Sequence, residues 1–234
     1  LKANFKVIDT IPNELKIGIF KTATIYKSWI RVSNASGSVQ SDKQKDFRGF
    51  AIKLLGIDGE RVNTEELNTQ DFLLMSNPTM PLGTVKLFRD AVYYSIKWNP
   101  IVLALKFVFS GNLNILLALQ KGRHNDSSPL DIKYWSTTPY QYGEKKVKYK
   151  IIPTSKTKSS LPDELTDNYL TENMDKHLKK ESTTFDFYIQ QYVDDSKTPI
   201  EDAGIEWKEK DSPFIKVAEI EIPIQALNTT KRFE

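Results

Sequence analysis

Short stretches in which apolar and polar residues alternate recur along the chain. In the first, Ala3, Phe5 and Val7 alternate with polar residues, which predicts a half-buried strand from the first residues onward. Further strand-like stretches occur at residues 29–33, 50–55, 72–75, 147–151, 185–193 and 218–222. Because turn-forming polar, glycine and proline residues separate them, the pattern predicts an antiparallel sheet.

Two helices are predicted from periodicity and from their end residues. Between residues 83 and 98, apolar residues recur at helical spacing and indicate a surface helix. These residues are Val85, Phe88, Val92 and Ile96. A second helix is predicted to begin at Pro162, because acidic residues follow this proline and lysines stand at the far end, as the helix dipole favours.

Residues 101–109 and 113–119 are strongly apolar, so a membrane span has to be weighed. Lys106 and the polar residues at 110–112 and 114 interrupt them, and we expect two buried or groove-lining helices instead. Strands with intervening helices and no regular βα repeat predict an α+β fold. The sheet is predicted to be twisted and antiparallel and to close as a barrel.

Composition narrows the possible functions. A chain of 234 residues with 39% hydrophobic and 27% charged residues predicts one globular domain over residues 1–234. The net charge of +3 is too small to predict a nucleic-acid partner, and without cysteine there is no thiolate chemistry. The lysines that alternate along residues 146–150 are interpreted as a solvated face.

Classical motifs of catalysis are missing from the sequence. His124 lies in a loop and His177 near a cationic helix end, so we interpret both as solvated residues rather than metal ligands. There is no zinc-hydrolase, phosphate-loop or serine-hydrolase motif. The sequence does not decide between a cytoplasmic and a periplasmic location. It also leaves open whether the protein forms a homodimer.

Two neighbouring stretches each carry an arginine among apolar residues. Alternation from Trp29 to Ser33 places Arg31 and Ser33 on one strand face, where a guanidinium and a hydroxyl could hold an anionic group. The structural alternatives are that Arg31 pairs with a carboxylate at a barrel rim and that Arg48 pairs with Asp46. The residues alone favour the structural roles.

The order of these stretches and of several others carries more information. The first reads W-I-R-V-S-N-A-S from Trp29, and the second reads D-F-R-G-F-A-I-K from Asp46. Further segments with a known order relative to these two stretches occur at residues 1–7, 15–20, 69–73, 139–149 and 207–223. Together they resemble the haem-binding core of the catalase superfamily, and most of all its small catalase-related peroxidases. The resemblance spans nearly the whole chain.

The resemblance implies a β-barrel with helices packed outside, and it implies haem b as cofactor. Arg31 matches a residue that pairs with a haem propionate, and Ser33 matches one that hydrogen-bonds the distal histidine. Gly49 and Phe50 match the close-packed wall of the distal pocket. Asn77 is a candidate for the distal asparagine. Two further positions, Asp46 and Arg48, look structural.

One departure from the family pattern concerns that asparagine. Alignment on Pro78 places Met75 or Ser76 at its position. This departure disfavours efficient dismutation of hydrogen peroxide, whereas peroxidase or organic-hydroperoxide chemistry could survive it.

The iron ligand is expected outside this sequence. By resemblance, the distal histidine would precede Leu1 and the proximal tyrosine would follow the strand that ends near Pro223, so the domain is expected to be truncated at both ends. The implied function is a haem-dependent, peroxidase- or catalase-like activity on hydrogen peroxide or organic hydroperoxides. The alternatives are a non-catalytic barrel that binds an apolar ligand or a protein partner, and a haem enzyme that converts fatty-acid hydroperoxides.

Overall fold

Nine antiparallel strands form one sheet in the computed structural model of the chain, which describes residues 1–59, 68–98 and 100–227. The strands are β1 (Lys2–Val7), β2 (Ile25–Asn34), β3 (Arg48–Leu55), β4 (Thr69–Met75), β5 (Tyr134–Trp135), β6 (Tyr140–Tyr142), β7 (Lys145–Pro153), β8 (Thr183–Gln191) and β9 (Phe214–Ile222). Four helices accompany them in the described residues: α1 (Val85–Lys97), α2 (Pro100–Phe109), α3 (Leu113–Lys121) and α4 (Tyr169–Leu178).

The sheet closes on itself through the short strand β5. Around the sheet the order is β5-β4-β3-β2-β1-β9-β8-β7, and β5 pairs with both β4 and β7. Met75 of β4 lies opposite Trp135, and Tyr134 lies opposite Ile151 of β7. These eight strands make a closed antiparallel barrel, and β6 adds to the other end of β7. The predicted α+β barrel is confirmed.

Alternate residues of the strands fill the barrel with aromatic rings. The Phe187 ring centroid lies 5.1 Å from that of Phe5 and 5.0 Å from that of Phe72, both in edge-to-face geometry. All three side chains are buried. Burial of such large apolar surfaces is the main stabilising contribution to this core.

In the sequence, helices α1 to α3 come between β4 and β5. They enclose a small separate cluster of apolar side chains. Ala91, Phe107 and Ile115 are buried there. The two helices expected at residues 101–109 and 113–119 as buried or groove-lining are formed, but they are not buried for most of their length, since only one residue of each is buried and Phe109 is 85% exposed. Among the described helices, none combines the length and the apolar character needed to cross a bilayer.

The helix predicted from Pro162 begins seven residues later, at Tyr169. Residues 161–168 are instead tied to the loop after β2, where the Asp42 amide donates to the Asp167 carbonyl at 2.9 Å. The Ser41 hydroxyl also donates to the Asp167 carboxylate at 2.7 Å. These tertiary bonds satisfy polar groups that a longer helix would have used.

The lysines of β7 form the predicted solvated face only in part, because Lys146 is exposed whereas Lys148 is buried. Lys148 is only 5% exposed, and its ammonium nitrogen lies 4.8 Å from the ring centroid of Trp207. The covering segment, residues 199–212, lies over this part of β7. Gln190 of β8 holds it by donating to the carbonyls of Trp207 and Ser212, each at 2.8 Å.

Candidate functional site

The outer face of β2, β3 and β4 carries three rows of opposed side chains. The register of the three strands sets these rows, because residues directly opposite each other point to the same side of a sheet. From one end to the other the rows are Trp29–Lys53–Asp71, Arg31–Ala51–Leu73 and Ser33–Gly49–Met75. Arg31 and Ser33 therefore share a face, as the alternation predicts.

A cavity of about 780 Å³ opens against the first two of these rows. Trp29, Ala51 and Leu73 line it from the barrel, and Met174 lines it from α4. The Lys53 and Asp71 side chains, which also line it, are joined by an ion pair of 3.2 Å. A cavity of this size with a mainly apolar wall and few polar groups is typical of sites for small molecules and cofactors.

Arg31 brings a positive charge to this apolar wall. Its side chain is exposed to the cavity, and no hydrogen bond or ion pair of its guanidinium is formed within residues 1–59, 68–98 and 100–227. The alternative that Arg31 is paired with a carboxylate of the barrel rim therefore finds no support in the described residues. A guanidinium in this setting can bind a carboxylate through two parallel hydrogen bonds.

Ser33 and Gly49 approach each other closely in the third row. A Cβ atom built on Gly49 would lie 2.7 Å from the Ser33 hydroxyl oxygen, which is closer than carbon and oxygen can pack. Glycine at position 49 thus leaves room for Ser33 and keeps this part of the wall flat. The structure brings Arg31, Ser33 and Gly49 to one surface.

Phe50 and Asn77 are not brought to that surface. The Phe50 ring points into the barrel, where its centroid lies 5.0 Å from that of Tyr134 and 5.3 Å from that of Phe185. Asn77 lies in the turn after β4, and its amide donates to the carbonyl of Thr79 at 2.7 Å. Met75, not Asn77, occupies the row of Ser33 and Gly49.

Asp46 and Arg48 build the neighbouring loop rather than the cavity. The Asp46 carboxylate accepts hydrogen bonds from the amides of Ala35 and Ser36 at 3.0 and 2.9 Å. Arg48 is buried, donates to Asn34 and to the His124 carbonyl, and has its Nε 3.6 Å from the carboxylate of Asp126. Both residues have the structural role that their place in the motif indicates.

Burial and the arginine act in opposite directions on Asp126. Removal from water raises the pKa of this carboxyl group, while the positive charge of Arg48 lowers it, and burial has the larger effect. The ion pair between them holds the loop that carries His124 against β3.

Neither histidine stands at the cavity. His124 is exposed in its loop, as expected, but His177 is buried in α4, and its Nε2 has no hydrogen-bond partner among the described residues. The interpretation of His177 as a solvated residue is wrong, because His177 lies on the side of α4 that is buried against the rest of the protein. No cluster of three metal-ligating side chains occurs in the described ranges.

Sequence reasoning did not assign Met174 and Leu73 to the cavity. Met174 belongs to the apolar stripe of α4, which indicates only that this face is covered. Leu73 is an outward-facing apolar residue in an alternating strand, next to inward-facing Phe72 and Leu74. Such an exception to the alternation is the signal that could have located the wall.

Comparison with known proteins identifies the architecture. The sequence matches no protein-family profile and no curated protein. Among solved structures, it is similar to a bacterial catalase with a TM-score of 0.71 and 15% identity, over 97% of this chain and 47% of that one. A fungal catalase gives a TM-score of 0.71 and 16% identity, over 97% and 48%. The chain thus spans about half the length of these catalases, and it has the catalase-like fold.

Proposed function

We propose that this protein binds haem b against the outer face of β2, β3 and β4 and acts as a peroxidase on hydrogen peroxide or organic hydroperoxides. The observation that carries the proposal is an apolar cavity on a catalase-like barrel, where the guanidinium of Arg31 has no partner among the described residues. A flat, mainly apolar cofactor with acidic substituents complements this combination.

The residues present fit one face and one edge of a porphyrin. Trp29, Leu73 and Met174 offer apolar contacts, and Arg31 would bind a propionate. Gly49 has no side chain, so a ring can come close to β3, and the hydroxyl of Ser33 beside it can donate or accept a hydrogen bond.

Haem iron would supply the oxidising chemistry, and the protein would place the peroxide and move its proton. The cavity lining within the described residues contains no histidine, tyrosine or cysteine. The proposal therefore assigns the iron ligand and the distal histidine to residues outside those described.

Met75 influences which class of peroxide the proposed site favours. It stands in the row of Ser33 and Gly49, where a thioether offers no proton donor to a bound peroxide. The missing donor disfavours dismutation of hydrogen peroxide and leaves organic hydroperoxides as the favoured substrates. Fatty-acid hydroperoxides belong to the same substrate class.

The first test is haem binding by the full-length protein and its Arg31→Met variant. Loss of a charge-assisted bond of about 1.5–3 kcal/mol should weaken haem affinity roughly tenfold to hundredfold, measured by titration of the Soret band. Arg123→Met is the matched control, because Arg123 is an exposed arginine outside the cavity.

Two results would contradict the proposal at different levels. If the full-length wild type gives no Soret band after reconstitution, haem binding is wrong, and the apolar cavity favours a non-catalytic barrel for another apolar ligand. If Arg31→Met and Arg123→Met bind haem like the wild type, the assignment of Arg31 is wrong. Product analysis with hydrogen peroxide, cumene hydroperoxide and a fatty-acid hydroperoxide then separates the three substrate choices.

A further inference from the structure

We propose that the helical segment, which comprises residues 84–98 and 100–123, docks onto the surface of an anionic lipid bilayer. The first observation is an apolar stripe on α1 that faces away from the protein. Val85 and Ile96 are 85% and 75% exposed, and Phe88 and Val92 are also exposed. Their spacing places all four on one side of the helix.

The buried side of α1 is a different one. Ala91 belongs to the small cluster with Phe107 and Ile115, and Leu87 packs against it. In a surface helix of a globular protein the apolar stripe normally faces the core. Here α1 has apolar residues on both sides, and the longer stripe is the outer one.

The following helices also expose apolar side chains. On α2, Leu105, Val108 and Phe109 are exposed, and on α3, Leu113 and Leu117 are exposed. Each set recurs at intervals of three or four residues, as on α1. Exposed sets of large apolar side chains on a folded protein mark sites of interaction.

Charge distinguishes an anionic bilayer from other partners. The helical segment contains six basic residues and one acidic residue, so it carries a formal charge of +5, whereas the rest of the chain carries −2 to give the total of +3. The single carboxylate, Asp90, already pairs with Arg89 and Lys106 at 2.7 and 3.6 Å. Lys86 and Lys97 remain exposed beside the α1 stripe.

An anionic bilayer complements both features at once. The apolar stripe would enter the boundary between headgroups and acyl chains, and the lysines would bind lipid phosphates. Tyr93 and Trp98, both exposed, are residues that favour this boundary. A second copy of this chain would instead bring two segments of charge +5 together. The inference does not depend on haem binding.

Vesicle flotation of the full-length protein tests the proposal. We expect the protein to float with vesicles of phosphatidylcholine and phosphatidylglycerol, to stay unbound with phosphatidylcholine alone, and to lose binding as salt is raised. Lys86→Gln with Lys97→Gln should weaken partitioning about 25-fold, at roughly fivefold per basic residue. Phe88→Ser with Ile96→Ser should weaken it at least about tenfold.

Matched controls use exposed residues outside the helical segment. Lys208→Gln with Lys210→Gln removes two exposed lysines, and Val39→Ser with Ile224→Ser removes two exposed apolar side chains. Both controls should bind like the wild type, with circular dichroism unchanged in all variants. Equal binding to neutral vesicles, or no binding to anionic ones, overturns the proposal. A dimer in ultracentrifugation that Phe88→Ser with Ile96→Ser dissociates, without vesicle binding, overturns it in favour of self-association.

Discussion

Gly49 shows how one missing side chain shapes the outer face of β2, β3 and β4 next to the cavity. It lies opposite Ser33 on β2 and Met75 on β4, and a methyl group at this position would clash with the serine hydroxyl. Its place in the middle of a strand costs stability relative to a residue with a side chain. That cost is offset by the room it gives Ser33.

At the residue scale we predict that Gly49→Ala destabilises the protein by about 0.5–1.5 kcal/mol, because the Ser33 hydroxyl has to leave its preferred position to make room for the new methyl group. Ser33→Ala in the same background should recover most of the loss. Urea denaturation of the four proteins of this double-mutant cycle measures the coupling between the two positions. Additive effects of the two substitutions would contradict the close approach.

Residue-level prediction from sequence worked where the strand period decided the outcome. Arg31 and Ser33 share a face because they are two positions apart in β2. The same rule shows why Gly49 and Phe50 could not both face the outer surface of the sheet, since neighbouring strand residues point to opposite sides. Asn77 follows the end of β4, where no periodicity fixes the direction of a side chain.

Individual elements combine the inside and the outside of the barrel. In β4, Phe72 packs in the aromatic core and is 3% exposed, whereas its neighbour Leu73 faces the cavity and is 60% exposed. Stability and ligand binding are thus assigned to alternate residues of the same strand.

Truncation of each side chain separates the two tasks. Phe72→Ala should cost about 3–5 kcal/mol of unfolding free energy, because it leaves a void among closely packed rings. Leu73→Ala should change it by less than about 1 kcal/mol. Thermal and urea unfolding provide the measurement. Similar losses in both variants would mean that the Leu73 side is also packed in the folded protein.

Helix prediction from sequence found the elements but not their surroundings. The pattern of α1 identifies a helix, yet both the Val85 stripe and the side with Leu87 and Ala91 are apolar, so periodicity cannot tell which one is buried. Helix α4 begins later than the sequence predicts, because hydrogen bonds from a distant loop to Asp167 compete with the helix. The two-residue strand β5 carries too little pattern to be recognised.

For the molecule as a whole, burial of Lys148 ties stability to pH. Burial under the covering segment lowers the pKa of Lys148 to about 8, although Glu206 and Asp202 act in the opposite direction. In the unfolded chain the amine has its ordinary pKa of 10.5. Between these values the unfolded state holds a proton that the folded state has released, so stability rises with pH.

We predict that Lys148→Met is more stable than the wild type at pH 7, by on the order of 1 kcal/mol or more, because it removes a buried charge. The wild type should close this gap as the pH rises from about 8 to 10. Lys146→Met is the control, because Lys146 is an exposed lysine of the same strand. Urea unfolding at several pH values measures the difference. A gap that does not change with pH would mean that the amine is solvated.

The pairing of β1 with β9 also has a consequence for synthesis of the protein. Phe5 lies opposite Ile220, so the barrel closes only when residues roughly 215 positions apart meet. At about 5–20 residues per second, β1 leaves the ribosome roughly 10–40 s before β9 does. During that interval one edge of β1 is bare and can pair with a neighbouring chain. The yield of folded protein therefore depends on how well the emerging chain is protected from its neighbours.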